Sequence, residues 1–224
     1  MKVEIWSDVV CPWCYVGKRQ FEDALSRFDH AEQVDVVWRS FELDPASPAT
    51  VGLSMSRILE RKYGMTPEQA EAANRRMTAL AADVGLEYHL DQVQAGNTFD
   101  AHRLVHLAGR HGLADAMKER LFGAYFTEGL PVGDRTTLAG LAIEVGLDAG
   151  EVAAVLDGAD FGDEVRGDEA RAAELGVSGV PFFVIDEAYG ISGAQPADVL
   201  LGAMERVWSE SQDPEDSAQA PSIP

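Results

Sequence analysis

The only two cysteines among 224 residues stand three apart, as Cys11-Pro12-Trp13-Cys14, directly behind the apolar run Val3–Ser7. A C-x-x-C used this way either closes half of a metal site or carries dithiol–disulfide chemistry. Its setting constrains the fold as well. Val3 and Ile5 share one face of a strand with Trp6 nearby, and beyond the motif Phe21, Leu25 and Phe28 recur at the spacing of one helical face. Cys11 therefore falls at or just before the first turn of a helix, and Pro12 suits the first helical position.

The chain continues with a second strand over Val34–Leu43, rich in β-branched and aromatic residues and stopped by Asp44-Pro45-Ala46-Ser47-Pro48. From about Ser54 to Gly176 the pattern is helix after helix. Thr66-Pro67-Glu68-Gln69 reads as a capping box with proline at the first helical position, and Gly85 as the stop of that helix. Asp148-x-x-Glu151 opens a shorter helix that Gly158 ends, and Glu87–Leu90 is the one stretch of this block with strand character. Strand pattern returns over Val180–Ile185 and Tyr189–Ser192, and a helix opened by Pro196 follows. The tail Ser209–Pro224 is acidic and aperiodic, a composition expected to be disordered. The order is strand–helix–strand, a helical block, then strand–strand–helix: an α/β chain whose first two strands can pair in parallel and whose last two add an antiparallel hairpin. The expected division is 1–48, 49–160, 161–208 and 209–224.

Thirty-eight acids against 18 bases give a formal charge of −20. Such a surface repels phosphate backbones and anionic lipid, which argues against nucleic-acid and membrane partners. No segment approaches the roughly 18 consecutive apolar residues of a membrane span. The start Met1-Lys2-Val3-Glu4-Ile5-Trp6-Ser7-Asp8 carries acids where a signal peptide needs its apolar stretch. A cytoplasmic location is expected, and there a redox-active pair or a metal site is the better reading of two cysteines than a structural disulfide.

At a helix start, unpaired N–H groups and the positive end of the macrodipole favour a thiolate at Cys11. Cys14 sits one turn deeper, so Cys11 is expected to be the exposed, attacking sulfur and Cys14 the resolving one. Pro12 stiffens the turn, and Trp13 offers apolar surface to a substrate. A zinc site would need two further ligands and there is no second cysteine pair. His102 and His106 are spaced i, i+4 on one predicted helical face, but they lack a nearby carboxylate of obvious role. No metal is expected. The second constellation is Gly176-Val177-Ser178-Gly179-Val180-Pro181-Phe182-Phe183. Alone it reads as a proline opening a strand in trans; with a cis bond, Val180 would present its backbone to an extended substrate chain.

Three stretches together resemble the DsbA family. They are Asp8-Val9-Val10-Cys11-Pro12-Trp13-Cys14-Tyr15-x-Gly17, Trp38-Arg39-Ser40-Phe41-Glu42-Leu43-x-Pro45 and Gly176-Val177-x-Gly179-Val180-Pro181-x-Phe183. The likeness is to its cytoplasmic, FrnE-like branch, and Asn97-Thr98-x-x-Ala101-His102-Arg103-Leu104 is similar to that branch too. The resemblance runs over about residues 2 to 208. It implies a thioredoxin fold (βαβ…ββα) with a large all-helical insertion, the first and third segments being the two halves of that fold. It further implies a cis-Pro181 packed against the cysteine pair, Cys11 as nucleophile, and Phe99 and His102 as candidates to line the cleft. The implied activity is that of a thiol–disulfide oxidoreductase or isomerase acting on protein or small-molecule disulfides, with no resident cofactor beyond the Cys11–Cys14 couple. A thiol reductant, whether thioredoxin-like, glutathione or another small thiol, would regenerate it. The Pro-Trp dipeptide lacks the histidine of the most oxidising members, which implies a milder couple. Kappa-class glutathione transferases and 2-hydroxychromene-2-carboxylate isomerases are similar as well, but there a serine usually replaces the first cysteine.

Overall fold

A computed structural model describes residues 1–49 and 52–212. The elements run β1 (Lys2–Ser7), α1 (Pro12–Arg27), β2 (Asp35–Ser40), α2 (Met55–Tyr63), α3 (Pro67–Asp83), α4 (Phe99–Arg110), α5 (Ala114–Phe126), α6 (Arg135–Glu144), α7 (Ala149–Asp157), α8 (Gly162–Glu174), β3 (Phe182–Ile185), β4 (Tyr189–Ser192) and α9 (Ala197–Gln212). The four-stranded sheet has the order β2-β1-β3-β4. β1 lies parallel to β2 and antiparallel to β3, and β3 pairs antiparallel with β4. This mixed sheet with its helical insertion is the expected thioredoxin architecture.

The chain divides into two compact units. One is Met1–Phe41 with the chain from Asp168 onward, and the other is Glu42–Gly167. The sequence expectation placed these limits at 48/49 and 160/161. The difference has a local cause. Asn97 binds the Glu42 carboxylate and the Pro45 carbonyl, its N–H donates to Pro48, and Lys62 reaches the Leu43 carbonyl, so the stretch after β2 belongs to the helical unit.

In the sheet unit, alternation sends Val3, Ile5, Phe183 and Ile185 to one face, where Phe21 of α1 and Leu200 and Met204 of α9 pack on them. Trp6, Phe182 and Val184 face the other way and meet Ala172 and Val177. β1 is thus buried on both faces, as befits a central strand. In the helical unit the punctuation read from the sequence is in place. Thr66 and Gln69 form the reciprocal capping box, Asp148 accepts from the N–H groups of Gly150 and Glu151, and Gly85 takes a left-handed φ of 77°.

Two local expectations fail. Glu87–Leu90 is not a strand. Tyr88 and Leu90 are buried, but among the described residues the helical unit has no strand for their backbone to pair with, and the His89 N–H goes to the Phe126 carbonyl instead. Residues 209–212, assigned by composition to the tail, complete the last turn of α9, where Glu210 binds Arg206 and Tyr189. Residues 213–224 lie outside the described residues. No described helix is long and apolar enough to cross a membrane.

Candidate active site

After β1 the chain turns through Asp8–Val10, and the Cys11 N–H closes that turn on the Asp8 carbonyl at 3.1 Å. Cys11 is the N-cap of α1 (φ −89°, ψ 112°), with Pro12 in the first turn and the Cys14 N–H bonded to the Cys11 carbonyl at 3.0 Å. The cap residue has no side-chain bond to the helix. Its sulfur is therefore carried at the positive end of the α1 dipole. Neither cysteine is in a disulfide, and both are buried: Cys11 is 4% exposed and Cys14 1%. The expected contrast between an open and a covered sulfur is thus small. Position distinguishes the two: Cys11 ends a turn at the helix entrance, whereas Cys14 is on the inward face of α1 with Phe21 and Ala24. Trp13 points outward at 46% exposure, the orientation a docking surface needs.

The loop before β3 supplies the opposite wall. The Val180–Pro181 peptide is cis, and the Cys11 Sγ lies 3.5 Å from the Val180 carbonyl oxygen, to which the thiol donates. The Pro181 carbonyl accepts from the Gly193 N–H at 2.8 Å, which ties this loop to the start of the β4–α9 connection. Gly17, one turn beyond Cys14, makes the approach possible. A Cβ there would stand 2.8 Å from Pro181 Cγ, closer than carbon atoms pack. The residues Cys11, Cys14, Val180 and Pro181, read from distant parts of the sequence, are thus together.

Sequence reasoning missed an ionic cluster on the same sheet. Glu4, 1% exposed in the middle of β1, is held by Arg39 of β2 at 2.6 Å, Arg171 of α8 at 3.1 Å and Lys2 at 3.4 Å. Arg39 also binds Asp168 at 2.9 Å, and that carboxylate takes the Ser40 N–H while its backbone carbonyl takes the Trp6 indole N–H. Burial alone would push the Glu4 carboxyl up; Arg39, then Arg171 and Lys2, outweigh it and hold it below the usual carboxylate range. The available signal was a charge inside each of two apolar strands, Val3-Glu4-Ile5-Trp6 and Val37-Trp38-Arg39. A buried charge in such a run needs a partner.

Phe99 and His102 are in the helical unit, in the first turn of α4. Phe99 lines a cavity of that unit, and His102 is 1% exposed with its N–H on the Thr98 carbonyl. His106, one turn on, stacks against Phe161 with centroids 6.4 Å apart. Among the described residues no group of three His, Cys, Asp or Glu side chains is placed to hold a metal ion.

Comparison with known proteins agrees with this architecture. The probable DsbA oxidoreductase of Streptomyces coelicolor is 49% identical, with a TM-score of 0.90 over 94% of this chain and 91% of that one. The uncharacterized protein YwbO of Bacillus subtilis is 30% identical over 205 residues, 90% of this chain and 94% of its own length. A 2-hydroxychromene-2-carboxylate isomerase shares the fold at 15% identity, with a TM-score of 0.68 over 95% of this chain and 98% of that one. The DSBA-like thioredoxin domain family matches residues 2–205, nearly the whole chain, and to that family this protein belongs.

Proposed function

We propose that this protein is a thiol–disulfide oxidoreductase of the cytoplasmic, FrnE-like kind, exchanging disulfides of proteins or small molecules through Cys11 and Cys14. The observation that carries this reading is the Cys11 Sγ at the N-cap of α1, 3.5 Å from the Val180 carbonyl. In the reducing direction the Cys11 thiolate attacks one sulfur of the substrate disulfide. That S–S bond breaks, a mixed disulfide forms, and the first substrate thiol leaves with a proton from solvent. Cys14 then gives up its proton and attacks Cys11 Sγ, which releases the second substrate thiol and leaves Cys11–Cys14 oxidised. Two electrons pass to the substrate, and a thiol reductant, glutathione or another small thiol, returns them. The oxidising direction is the same path reversed. Pro12 and Trp13 frame the substrate side of the sulfur, and the Val180 backbone offers main-chain pairing to an extended peptide. Phe99 and His102 are assigned to substrate contact on family resemblance.

A cytoplasmic setting fits the cysteine usage: both thiols are spent on one motif and none on a framework disulfide. The rival reading is a thiol-dependent transferase or isomerase, which the fold shared with the hydroxychromene-carboxylate isomerase supports at the level of architecture. A thiol rather than a hydroxyl at position 11 favours exchange over cofactor binding. Turnover of a disulfide substrate with a glutathione-coupled readout separates them. Cys11→Ser is expected to bring exchange to background, and Cys14→Ser to stall it after one thiol is released. Exchange that persists in Cys11→Ser would overturn the assignment. Glutathione-dependent isomerisation surviving Cys14→Ala would promote the rival.

A further inference from the structure

The helical unit holds a cavity of about 580 Å³, within the size range of small-molecule sites. Its lining includes Asn97, Phe99, Asp100, Arg103, Arg135 and Arg166, all from Glu42–Gly167. Three helices begin at this cavity: α4 at Phe99, α6 at Arg135 and α8 at Gly162. Their N-terminal dipole ends add positive potential to that of three guanidinium groups.

The arginines have different duties. Arg103, its side chain 3% exposed, is spent on structure: it binds Asp100 and the carbonyls of Val155, Gly158 and Asp160, and so ties α4 to the end of α7 and the turn after it. Arg135 and Arg166 are half or more exposed, at 59% and 50%. Arg135 shares Asp100 with Arg103, through Nε at 2.8 Å, and Arg166 pairs with Glu42 at 2.5 Å. Asp100 and Glu42 pair with these guanidiniums, and the exposed Asp163 is a further acid on the lining. Arg166 also lies over the Phe99 ring, its guanidinium carbon 4.4 Å from the centroid, which presents the ring and the charge to one space. On a chain of net charge −20, an anion gains nothing from the overall field, so a place that gathers cations has to act locally.

We propose that this cavity binds an organic anion of metabolite size, its carboxylate or phosphate taken by Arg135 and Arg166 and its apolar part lying against Phe99. The site uses neither cysteine and goes beyond the disulfide-exchange reading, with which it shares Phe99 alone; anion binding by Cys11→Ser is therefore read independently of exchange.

Calorimetric titration of the full chain with phenyl phosphate and with benzoate tests it, with benzyl alcohol as the uncharged probe. Saturable one-to-one binding of at least one anion and none of the alcohol is expected, and the tighter anion identifies the headgroup. Arg135→Gln and Arg166→Gln should each weaken binding about tenfold, the size of one charge-assisted contact. Asp100→Asn should tighten it several-fold, because it removes the carboxylate that competes for Arg135. Cys11→Ser should bind as the parent does. Absence of binding by both anions, or equal affinity in the Arg135→Gln/Arg166→Gln double variant, overturns the proposal; so does weaker binding in Asp100→Asn.

Discussion

In the sheet unit Cys11 and Val180 come from positions 169 residues apart and meet as a short side chain at a helix N-cap against a loop carbonyl. In the helical unit Arg103, Arg135 and Arg166 meet through long side chains that start on three different helices. The first arrangement is specified by where strands and turns run and by one glycine that permits close contact. The second is specified by ion pairs that hold flexible side chains in place. A site placed by close backbone approach is therefore sensitive to added volume, and a site held by long charged side chains to lost charge.

The largest expected effect is in the helical unit. Arg103→Met removes the donor for three backbone carbonyls and the Asp100 carboxylate at a buried position. Leaving such acceptors unpaired should cost about 3–5 kcal/mol in urea unfolding. A loss below about 1 kcal/mol would show that the guanidinium does not organise this unit.

The corresponding change in the sheet unit is Glu4→Gln, expected to cost roughly 2 kcal/mol. The figure is smaller because Arg39 and Arg171 are partly exposed and recover water when the carboxylate goes. A pH dependence accompanies it. The folded-state value for Glu4 is lowered, so its contribution is fully present above the unfolded carboxylate range near pH 4.3 and is lost as pH falls through the folded value. Acid unfolding of the parent should accordingly be steeper below pH 4 than that of Glu4→Gln. Parallel curves would remove Glu4 from the network.

At Gly17→Ala, helix propensity and packing predict opposite signs. Within a helix the change should gain up to about 1 kcal/mol. The 2.8 Å approach to Pro181 Cγ should instead cost about 1–3 kcal/mol and displace the loop that carries Val180. A net loss near 1 kcal/mol with a disproportionate fall in disulfide exchange is expected. A stabilised protein with unchanged turnover would mean that the contact does not position the site. The smallest effect is at a helix start: Asp148→Ala removes the cap on Gly150 and Glu151 and should lower stability by about 0.5–1 kcal/mol, with exchange activity untouched.

The same contrast explains what could be read in advance. Cys11 at a helix start, Pro12 in its first turn, Val180-Pro181 before a strand and the caps at Thr66 and Asp148 are local patterns, and each stands where its pattern put it. The burial of Cys11 was not legible, because exposure depends on what packs over a residue rather than on its neighbours in sequence. Glu4 and Arg39 were visible as charges within apolar strands, but naming their partners requires the register that sets Trp6 beside Arg39 and brings Asp168 and Arg171 to that face. Arg135 and Arg166 carried no signal at all; each looks like an ordinary surface charge near a helix start.

In the proposed exchange Cys11 attacks and Cys14 resolves. Its most direct test is to react Cys14→Ala with a disulfide substrate and locate the adduct by mass spectrometry of peptides. A stable mixed disulfide on Cys11 should accumulate stoichiometrically, whereas in the parent the adduct is transient and gives way to the Cys11–Cys14 disulfide. A Cys14→Ala protein that forms no adduct at Cys11, or a parent whose two cysteines never join on exposure to substrate, would contradict it.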